Sequence, residues 1–481
     1  MNSLKQQILK LQEISSELEP TEIQRNKYIN QANGYANKFV NTIEDTDAYS
    51  KEKESANVFA ITSKTKTLQE ILKIYENEVA TKGINAASGG HFGYIPGGGI
   101  YTSSIADYLV DVTNEYAGMY FASPGAVSME NELIDWMKSI FGFPNTAVGN
   151  LTSGGSIANL IALTAARDKH QIKNSKIENS AVYVSSQAHH CIIKALRIIG
   201  LEDIIIRHIE LDDNSRIITE DLRKKIKTDK KDGLNPFLVI ASSGTTDTGA
   251  IDPLQEIGAI TKANNLWYHI DAAYGGFFIL TETKKDLFKG IELADSLVID
   301  PHKGLFLPYG LGAVLVKDRA AVYHSHHFRA NYMQDAIEDD TPINPADVSA
   351  ELTKHFRGFR LWLPLQLHGI APFVACLEEK LLLTTYFRNG LLKLGFKIGP
   401  EPDLSVSYFW WSSKTIDENV FNQKFMQEIH NDGSIFLSST TVKGKFVIRI
   451  AVLSFRTKLH TIDKALNRID MARQRVEDSF K

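Results

Sequence analysis

Four segments of the chain repeat one pattern, in which an apolar run is followed at once by small and polar residues. The runs begin near residues 181, 237, 266 and 296. Short apolar runs bounded by turn residues are typical of buried strands, and helical segments between some of them favour parallel connections. The pattern therefore predicts an α/β fold with a mainly parallel sheet, whose ligand crevice lies along the edge where the strands end.

The segments on either side of this region have different patterns. Apolar residues at helical spacing in 4–18 and 61–75 predict amphipathic helices with too little apolar surface to stand alone. We expect a helical arm over residues 1–85, a large domain over 86–370 that holds the four strand units, and a small α+β domain over 371–481. For the arm, a loosely attached and exposed extension is the alternative.

Two further segments have patterns that predict local structure. The polar stretch 323–347 is long for a connection inside a compact domain, and such loops are usually lids or disordered segments. In the small domain, the pattern predicts a strand at 435–438 and a second one at 446–452.

Composition and charge narrow the class of protein. With 481 residues, 43% hydrophobic and 23% charged, the chain resembles an ordinary soluble globular protein. A net charge of -4 gives no electrostatic footprint for nucleic acid or an anionic membrane. The two cysteines form no framework and favour a reducing compartment. The N-terminus lacks an apolar signal region, and no apolar run is long enough to span a membrane, so we expect a cytoplasmic protein.

A lysine that could act as a nucleophile follows the last of the four strands. The apolar run 297–299 is broken by Asp300 and Pro301, because proline removes a hydrogen-bond donor and restricts the preceding residue. Lys303 therefore lies where the chain leaves the sheet, in mostly apolar surroundings. Burial should lower its pKa and make its amine suited to a Schiff base. A lone loop lysine is more often merely solvated, so a second feature is needed.

That second feature is a carboxylate at the end of the neighbouring strand. Asp271 ends the apolar run that begins at Trp267, and small residues follow it. Because ligands bind at the carboxyl ends of parallel strands, Asp271 and Lys303 can face one cavity. Such a pair suits pyridoxal 5'-phosphate (PLP): the carboxylate keeps the pyridine nitrogen protonated while the lysine carries the aldehyde.

Two motifs resemble those of the group II PLP-dependent decarboxylases. They are His-Ile-Asp-Ala-Ala-Tyr-Gly-Gly around Asp271 and Asp-Pro-His-Lys, which ends at Lys303. These decarboxylases are relatives of aromatic-L-amino-acid decarboxylase, and the resemblance covers most of the chain. It implies the PLP-dependent transferase fold type I, with the large domain, the small C-terminal domain and the helical N-terminal arm expected above. It also implies a homodimer in which the arm packs across the partner subunit and the active site lies at the interface.

The resemblance assigns cofactor contacts to the polar strand ends. The segment 151–159 places glycines and hydroxyl residues at a helix N-terminus, which is a ready anion site. By resemblance Gly155 and Ser156 hold the PLP phosphate, although Ser156 alone could be only a helix cap. His189 is expected to stack on the pyridine ring and bind the substrate carboxylate. The remaining expected cofactor contacts are Thr246, Ala273 and His302.

A metal site is not expected. The adjacent histidines His189 and His190 should point apart, and no third ligand stands at metal spacing. The cluster His324, His326 and His327 invites the same interpretation, but the sequence does not favour it.

The resemblance also suggests a substrate pocket and a proton donor. The glycine-dense loop 89–101 matches a loop that lines the substrate side chain in the family, with a mobile surface loop as the alternative; the matching residues are Phe92, Tyr94, Ile95 and Pro96. Counting from Lys303 places the family's lid tyrosine at Tyr332, where a phenol could protonate carbon after CO2 leaves. Plain packing within the loop is the alternative for Tyr332.

The sequence thus predicts α-decarboxylation of an L-amino acid, with an aromatic or bulky side chain, by Lys303, His189, Tyr332 and Asp271. Three positions differ from the animal aromatic decarboxylases: Asp300 stands in place of Asn, Gly304 in place of Trp, and Gly97 in place of Thr. The charge of Asp300 would repel a phosphate unless the carboxylate is paired or turned away. The alternatives are a PLP-dependent carbon-carbon lyase that releases an aldehyde, and a non-catalytic PLP-binding paralogue, which the intact catalytic set argues against.

Overall fold

The computed structural model describes residues 2–327, 342–413 and 416–481. At the N-terminal end, three helices and a two-stranded antiparallel sheet precede the glycine-rich loop: α1 (Asn2–Ser15), α2 (Glu22–Thr42), α3 (Leu68–Tyr75), β1 (Tyr49–Ser50) and β2 (Gly83–Ile84). The expected second helix starts at Leu68 and not at residue 61, because the Thr67 hydroxyl accepts a hydrogen bond from the Glu70 N–H and the Glu70 carboxylate accepts one from Thr67.

Seven strands form the large sheet. They are β3 (Val148–Thr152), β4 (Ser180–Ser185), β5 (Ile205–Ile209), β6 (Asn235–Ser242), β7 (Trp267–Asp271), β8 (Ser296–Ile299) and β9 (Gly312–Val316). Their spatial order is β3-β9-β8-β7-β6-β4-β5, and β9 alone runs against its two neighbours. The prediction of a mainly parallel α/β sheet built on the four repeated units is confirmed.

Both faces of the large sheet are buried, and this explains the continuous apolar runs. In β4, Ala181 and Tyr183 face one hydrophobic core while Val182 and Val184 face the other. The helices around the sheet are α4 (Tyr101–Thr113), α5 (Pro124–Phe141), α6 (Gly155–Lys169), α7 (Cys191–Ile198), α8 (Thr219–Lys231), α9 (Leu254–Asn264), α10 (Pro301–Gly304), α11 (Arg319–His326) and α12 (Gly358–His368).

A small antiparallel sheet and three helices follow. They are α13 (Ala371–Lys393), β10 (Lys397–Ile398), β11 (Val406–Trp410), α14 (Glu418–Asp432), β12 (Ser438–Val442), β13 (Lys445–Ala451) and α15 (Leu459–Asp478). The strand expected at 435–438 lies instead at Ser438–Val442. A two-residue turn, Lys443 and Gly444, both with positive φ, pairs Val442 with Lys445 and so sets the register.

The expected loop 323–347 begins later than the sequence predicts. Its first residues belong to α11, which runs to His326 and is capped at its start by the Asp318 side chain, the acceptor of a hydrogen bond from the Ala321 N–H. Tyr332 lies in 328–341, outside the described residues.

Within the described ranges, no single helix is both long and apolar enough to cross a membrane. The sharply bent pair Gly358–His368 and Ala371–Lys393 reaches that length and composition only when its two helices are counted together.

Candidate active site

A cavity of about 250 Å³ lies at the edge where β6, β7 and β8 end. Every residue that the sequence assigned to the cofactor lines it: Gly155, Ser156, His189, Thr246, Asp271, Ala273, His302 and Lys303. The side chains come from five separate segments of the chain, which the parallel strand order brings to one edge. Among the lining residues that the sequence interpretation missed are Asn159, Gln187 and Cys191. Asn159 could have been found, because it follows Gly155 by one helical turn.

Lys303 forms an ion pair within its own turn. Its Nζ lies 2.9 Å from Oδ2 of Asp300, whose side chain is 2% exposed. Burial lowers the pKa of Lys303, but the charge and hydrogen bond of Asp300, with Asp271 beyond, outweigh it and raise the pKa above its ordinary value. The expected lowering of this pKa is therefore wrong, because the sequence interpretation considered burial without the partner three residues earlier. The same contact shows that the Asp300 carboxylate is paired.

The Asp271 carboxylate is held at both oxygens. The Ala273 N–H donates a hydrogen bond to Oδ1 at 3.1 Å, and Nδ2 of Asn159 donates one to Oδ2 at 3.3 Å. The register of the sheet sets Asp271 beside Val298, near the end of the strand that leads to Lys303. The acid and the amine therefore face one cavity, as the sequence predicts.

The glycine turn before α6 leaves room beside the ion pair. The helix begins at Gly155, and a Cβ added there would lie 2.9 Å from Oδ2 of Asp300. Gly154, with a φ of 149°, occupies the N-cap position and has no side chain with which to cap the helix. Ser156 is the second residue of the helix and does not occupy the N-cap position, so the alternative role as the helix cap is wrong. A first turn with free N–H groups and a serine hydroxyl fits the phosphate of PLP.

His189 follows β4 and is held by the backbone. The Cys191 N–H donates a hydrogen bond to Nδ1 at 3.3 Å, so the neutral ring carries its proton on Nε2. Burial lowers the pKa of His189, which favours this neutral form. The rings of His189 and His190 do not point apart, since their centroids are 4.0 Å apart. No group of three metal-ligating side chains occurs in the part of the chain that the structure describes.

Arg449 ties three segments together beside the cavity. Its guanidinium donates hydrogen bonds to the carbonyl oxygens of Thr246 and Tyr94, both at 2.8 Å, and to the Ser438 hydroxyl at 3.0 Å. Burial lowers the pKa of Arg449 to about 10.

The expected substrate-pocket residues do not line this cavity. Phe92 is fully buried in the core of the small sheet, with its ring edge-on to that of Phe387 at 5.5 Å, which corrects its assignment to the pocket. Ile95 packs in the core beside the large sheet, and Pro96 is buried. Tyr94 is 59% exposed. The loop threads between the two sheets, which its glycines did not reveal.

Close packing explains two of the three departures. A Cβ at Gly97 would collide with the carbonyl oxygen of His302, so the glycine-rich loop can approach the turn of Lys303 only through a glycine. At Gly304, a Cβ would lie 2.9 Å from Cβ of the buried Phe277. A large residue at either position would displace the turn that carries the lysine.

Comparison with known proteins agrees with this geometry. Residues 51–412 match the family described as the pyridoxal-dependent decarboxylase conserved domain. The chain is 34% identical over 399 residues to an aromatic-L-amino-acid decarboxylase of Bacillus atrophaeus, covering 81% of this chain and 82% of the relative. It is 28% identical to an L-2,4-diaminobutyrate decarboxylase of Acinetobacter baumannii, covering 79% and 78%. The crystal structure of Oryza sativa TDC with PLP and tryptamine superposes with a TM-score of 0.89 at 21% identity, covering 95% of this chain and 99% of that one.

Proposed function

We propose a substrate class for this chain, which belongs to the pyridoxal-dependent decarboxylase family and is a PLP-dependent amino-acid carboxy-lyase. The proposed substrate is an L-amino acid with an aromatic or bulky side chain, which loses its α-carboxylate as CO2. The observation that carries the proposal is the single cavity that the anchored Asp271 and the ion-paired Lys303 both face.

When bound, PLP supplies a carbonyl that captures the substrate amine and a ring that accepts the electron pair of the broken bond. Gly155 and Ser156 would hold its phosphate at the N-terminus of α6. Asp271 would hold the proton of the pyridine nitrogen, and Thr246, Ala273 and His302 line the same cavity. His189, neutral with its proton on Nε2, can cover the ring face and donate to the substrate carboxylate.

The Asp300 carboxylate gives Lys303 a route for its proton. The raised pKa means that the amine is charged at neutral pH and must lose a proton before it can act as a nucleophile. Oδ2 of Asp300 lies 2.9 Å from Nζ and can accept that proton. Transfer inside the pair removes both charges at once, so neither is left alone in the buried site.

The choice of substrate rests on the cavity and on the most similar relative named above. No arginine lines the cavity in the described ranges, so an acidic side chain would find no guanidinium partner there. The 34% identical relative is named for aromatic amino acids. The exposed Tyr94 ring belongs to the loop that the sequence assigned to the substrate, and it is the candidate contact in that loop.

A panel of L-amino acids tests the proposal, with amine and CO2 both quantified. We expect phenylalanine, tyrosine or tryptophan to give amine and CO2 in equal amounts, faster than aspartate, glutamate or 2,4-diaminobutyrate. Release of an aldehyde without CO2 would support the carbon-carbon lyase, and a yellow protein without turnover the non-catalytic paralogue. Lys303→Ala is the control, since it should lose both the yellow colour and the activity; a mutant with the wild-type spectrum would refute the role of Lys303.

We also propose that the protein is a cytoplasmic homodimer. One face of α4 exposes large apolar side chains at helical spacing: Tyr101, Ile105, Tyr108, Leu109 and Val112. A continuous apolar stripe on a surface helix marks an interaction surface, and a second copy of the chain would cover it. Both cysteines are free thiols, as in a reducing compartment. Sedimentation equilibrium tests the dimer, which a mass of one chain would refute.

A further inference from the structure

A buried chain of hydrogen bonds lies behind Asp271. Trp267 Nε1 donates to the Ser296 hydroxyl at 2.8 Å, and that hydroxyl lies 2.8 Å from Nδ1 of His269. Nε2 of His269 lies 2.7 Å from Oδ1 of Asn159, whose Nδ2 donates to Asp271. The residues come from β7, β8 and α6, and all but Asp271 are buried.

The two ends of this chain determine the direction of every bond in it. An indole N–H can only donate, and an ionised carboxylate can only accept. Asn159 must turn its amide nitrogen toward Asp271, so its oxygen faces His269 and Nε2 there must carry a proton. Burial lowers the pKa of His269 to about 4, so the ring is neutral and Nδ1 accepts from Ser296. The opposite tautomer would set two acceptors against each other at Nε2.

We propose that Asn159 and His269 are positioning residues that hold the Asp271 carboxylate in the one orientation in which it meets the pyridine nitrogen, with Ser296 and Trp267 fixing the imidazole. The inference rests on the proposed function, because it requires Asp271 to contact that nitrogen. Without the Asn159 donor, only the Ala273 N–H would hold the carboxylate, which could then rotate about its side-chain bonds.

The substitution series separates hydrogen bonding from packing. Asn159→Leu and His269→Leu remove the donors while keeping much of the volume. His269→Gln keeps an N–H that can reach the Asn159 oxygen, so it serves as the conservative rescue. A purely structural role would make both His269 variants fail alike.

The measurement compares the binding of PLP with that of 1-deaza-PLP, in which carbon replaces the pyridine nitrogen, to the apoenzyme. We expect the wild type to prefer PLP, and both leucine variants to lose that preference by about tenfold or more, the usual value of a hydrogen bond to a charged group. Binding of the deaza compound should stay unchanged, and His269→Gln should keep most of the preference. An unchanged preference in both leucine variants overturns the inference.

Two further measurements on the wild type decide the cases that the leucine variants leave open. If the wild type prefers PLP and the leucine variants keep that preference, only this inference fails. A wild type that binds both compounds equally would show that Asp271 does not meet the ring nitrogen, and the proposed function and this inference would fall together. If the leucine variants do not fold, nitrogen NMR of the wild type with labelled histidine decides. We expect a neutral His269 with its proton on Nε2, and a charged ring or a proton on Nδ1 at pH 7 would overturn the inference.

Discussion

Replacing Asp300 by asparagine isolates what raises the pKa of Lys303. The change removes the charge 2.9 Å from Nζ and keeps the shape of the side chain. Burial alone lowers this pKa, so without the Asp300 charge the balance shifts toward the neutral amine. We therefore expect Asp300→Asn to make Lys303 a stronger nucleophile in the apoenzyme.

The size of the effect follows from the geometry of the pair. An opposite charge at this distance favours the charged form of its partner by about 1.4–4 kcal/mol. Because the Lys303 side chain is only 24% exposed, solvent screens the pair weakly. Removing the charge should increase the neutral fraction of the amine roughly tenfold to thousandfold at neutral pH.

Carbamoylation of the apoenzyme by cyanate measures this fraction, because cyanate reacts with the neutral amine. The modified peptide containing Lys303 is quantified by mass spectrometry over a range of pH. Asp295→Asn is the matched control, since Asp295 directly precedes the same strand, β8, and its carboxylate accepts a hydrogen bond from the Tyr268 N–H but forms no ion pair with Lys303. Carbamoylation of Lys303 that is no faster in Asp300→Asn than in Asp295→Asn would refute the reasoning.

Three further predictions concern stability and proton transfer. In the wild type, Nζ of Lys354 lies 2.8 Å from the Glu130 carboxylate, and both side chains are buried. Lys354→Met should lower the free energy of unfolding, measured in urea, by about 3–5 kcal/mol, because it leaves Glu130 as an unpaired buried charge. A loss below 1 kcal/mol would contradict this. His91→Phe should make the free energy of unfolding less sensitive to acid. Burial lowers the pKa of His91 from 6.5 to about 4, so between these pH values the unfolded state binds a proton that the folded state does not. The wild type therefore loses stability as the pH falls from 6.5 to 4. Relative to the variant, the free energy of unfolding of the wild type should fall by about 3 kcal/mol between pH 6.5 and 4. Curves of this free energy against pH that run parallel for the two proteins would contradict the lowered pKa of His91. Tyr332→Phe should keep the yellow colour and lower amine release by about 10²–10⁴-fold, the usual contribution of a proton donor; unchanged release would remove Tyr332 from the mechanism.

The large sheet and the centre of the cavity could be predicted because their signals are local. Strands buried on both faces produce continuous apolar runs, and parallel order brings their ends together whatever lies between them. Asp271 and Lys303 each stand directly after such a run, so their shared cavity follows from topology alone. The parallel sheet, with one antiparallel strand, confirms this part of the prediction.

The rest depends on contacts between distant residues. The apolar Phe92 looks the same in sequence whether it lines a pocket or fills a core, and only the tertiary fold places it against Phe387. Asn159 accepts a hydrogen bond from His269 and donates one to Asp271, and both bonds join residues more than a hundred positions apart. The pKa of Lys303 is a different case. The sequence shows that Asp300 and Lys303 are three residues apart, but in a loop this spacing does not bring two side chains together. The short helix α10 does bring them together.

The three carbonyl and hydroxyl partners of Arg449 have a consequence for biosynthesis. A growing polypeptide contains the lysine, the acid and the glycine turn long before the ribosome adds the arginine that fastens Thr246 and Tyr94. Until then those two segments lack their common tether, and the nascent polypeptide holds the parts of a catalyst without their final alignment. The common tether of these two segments therefore forms only after a residue that the ribosome adds well behind both of them.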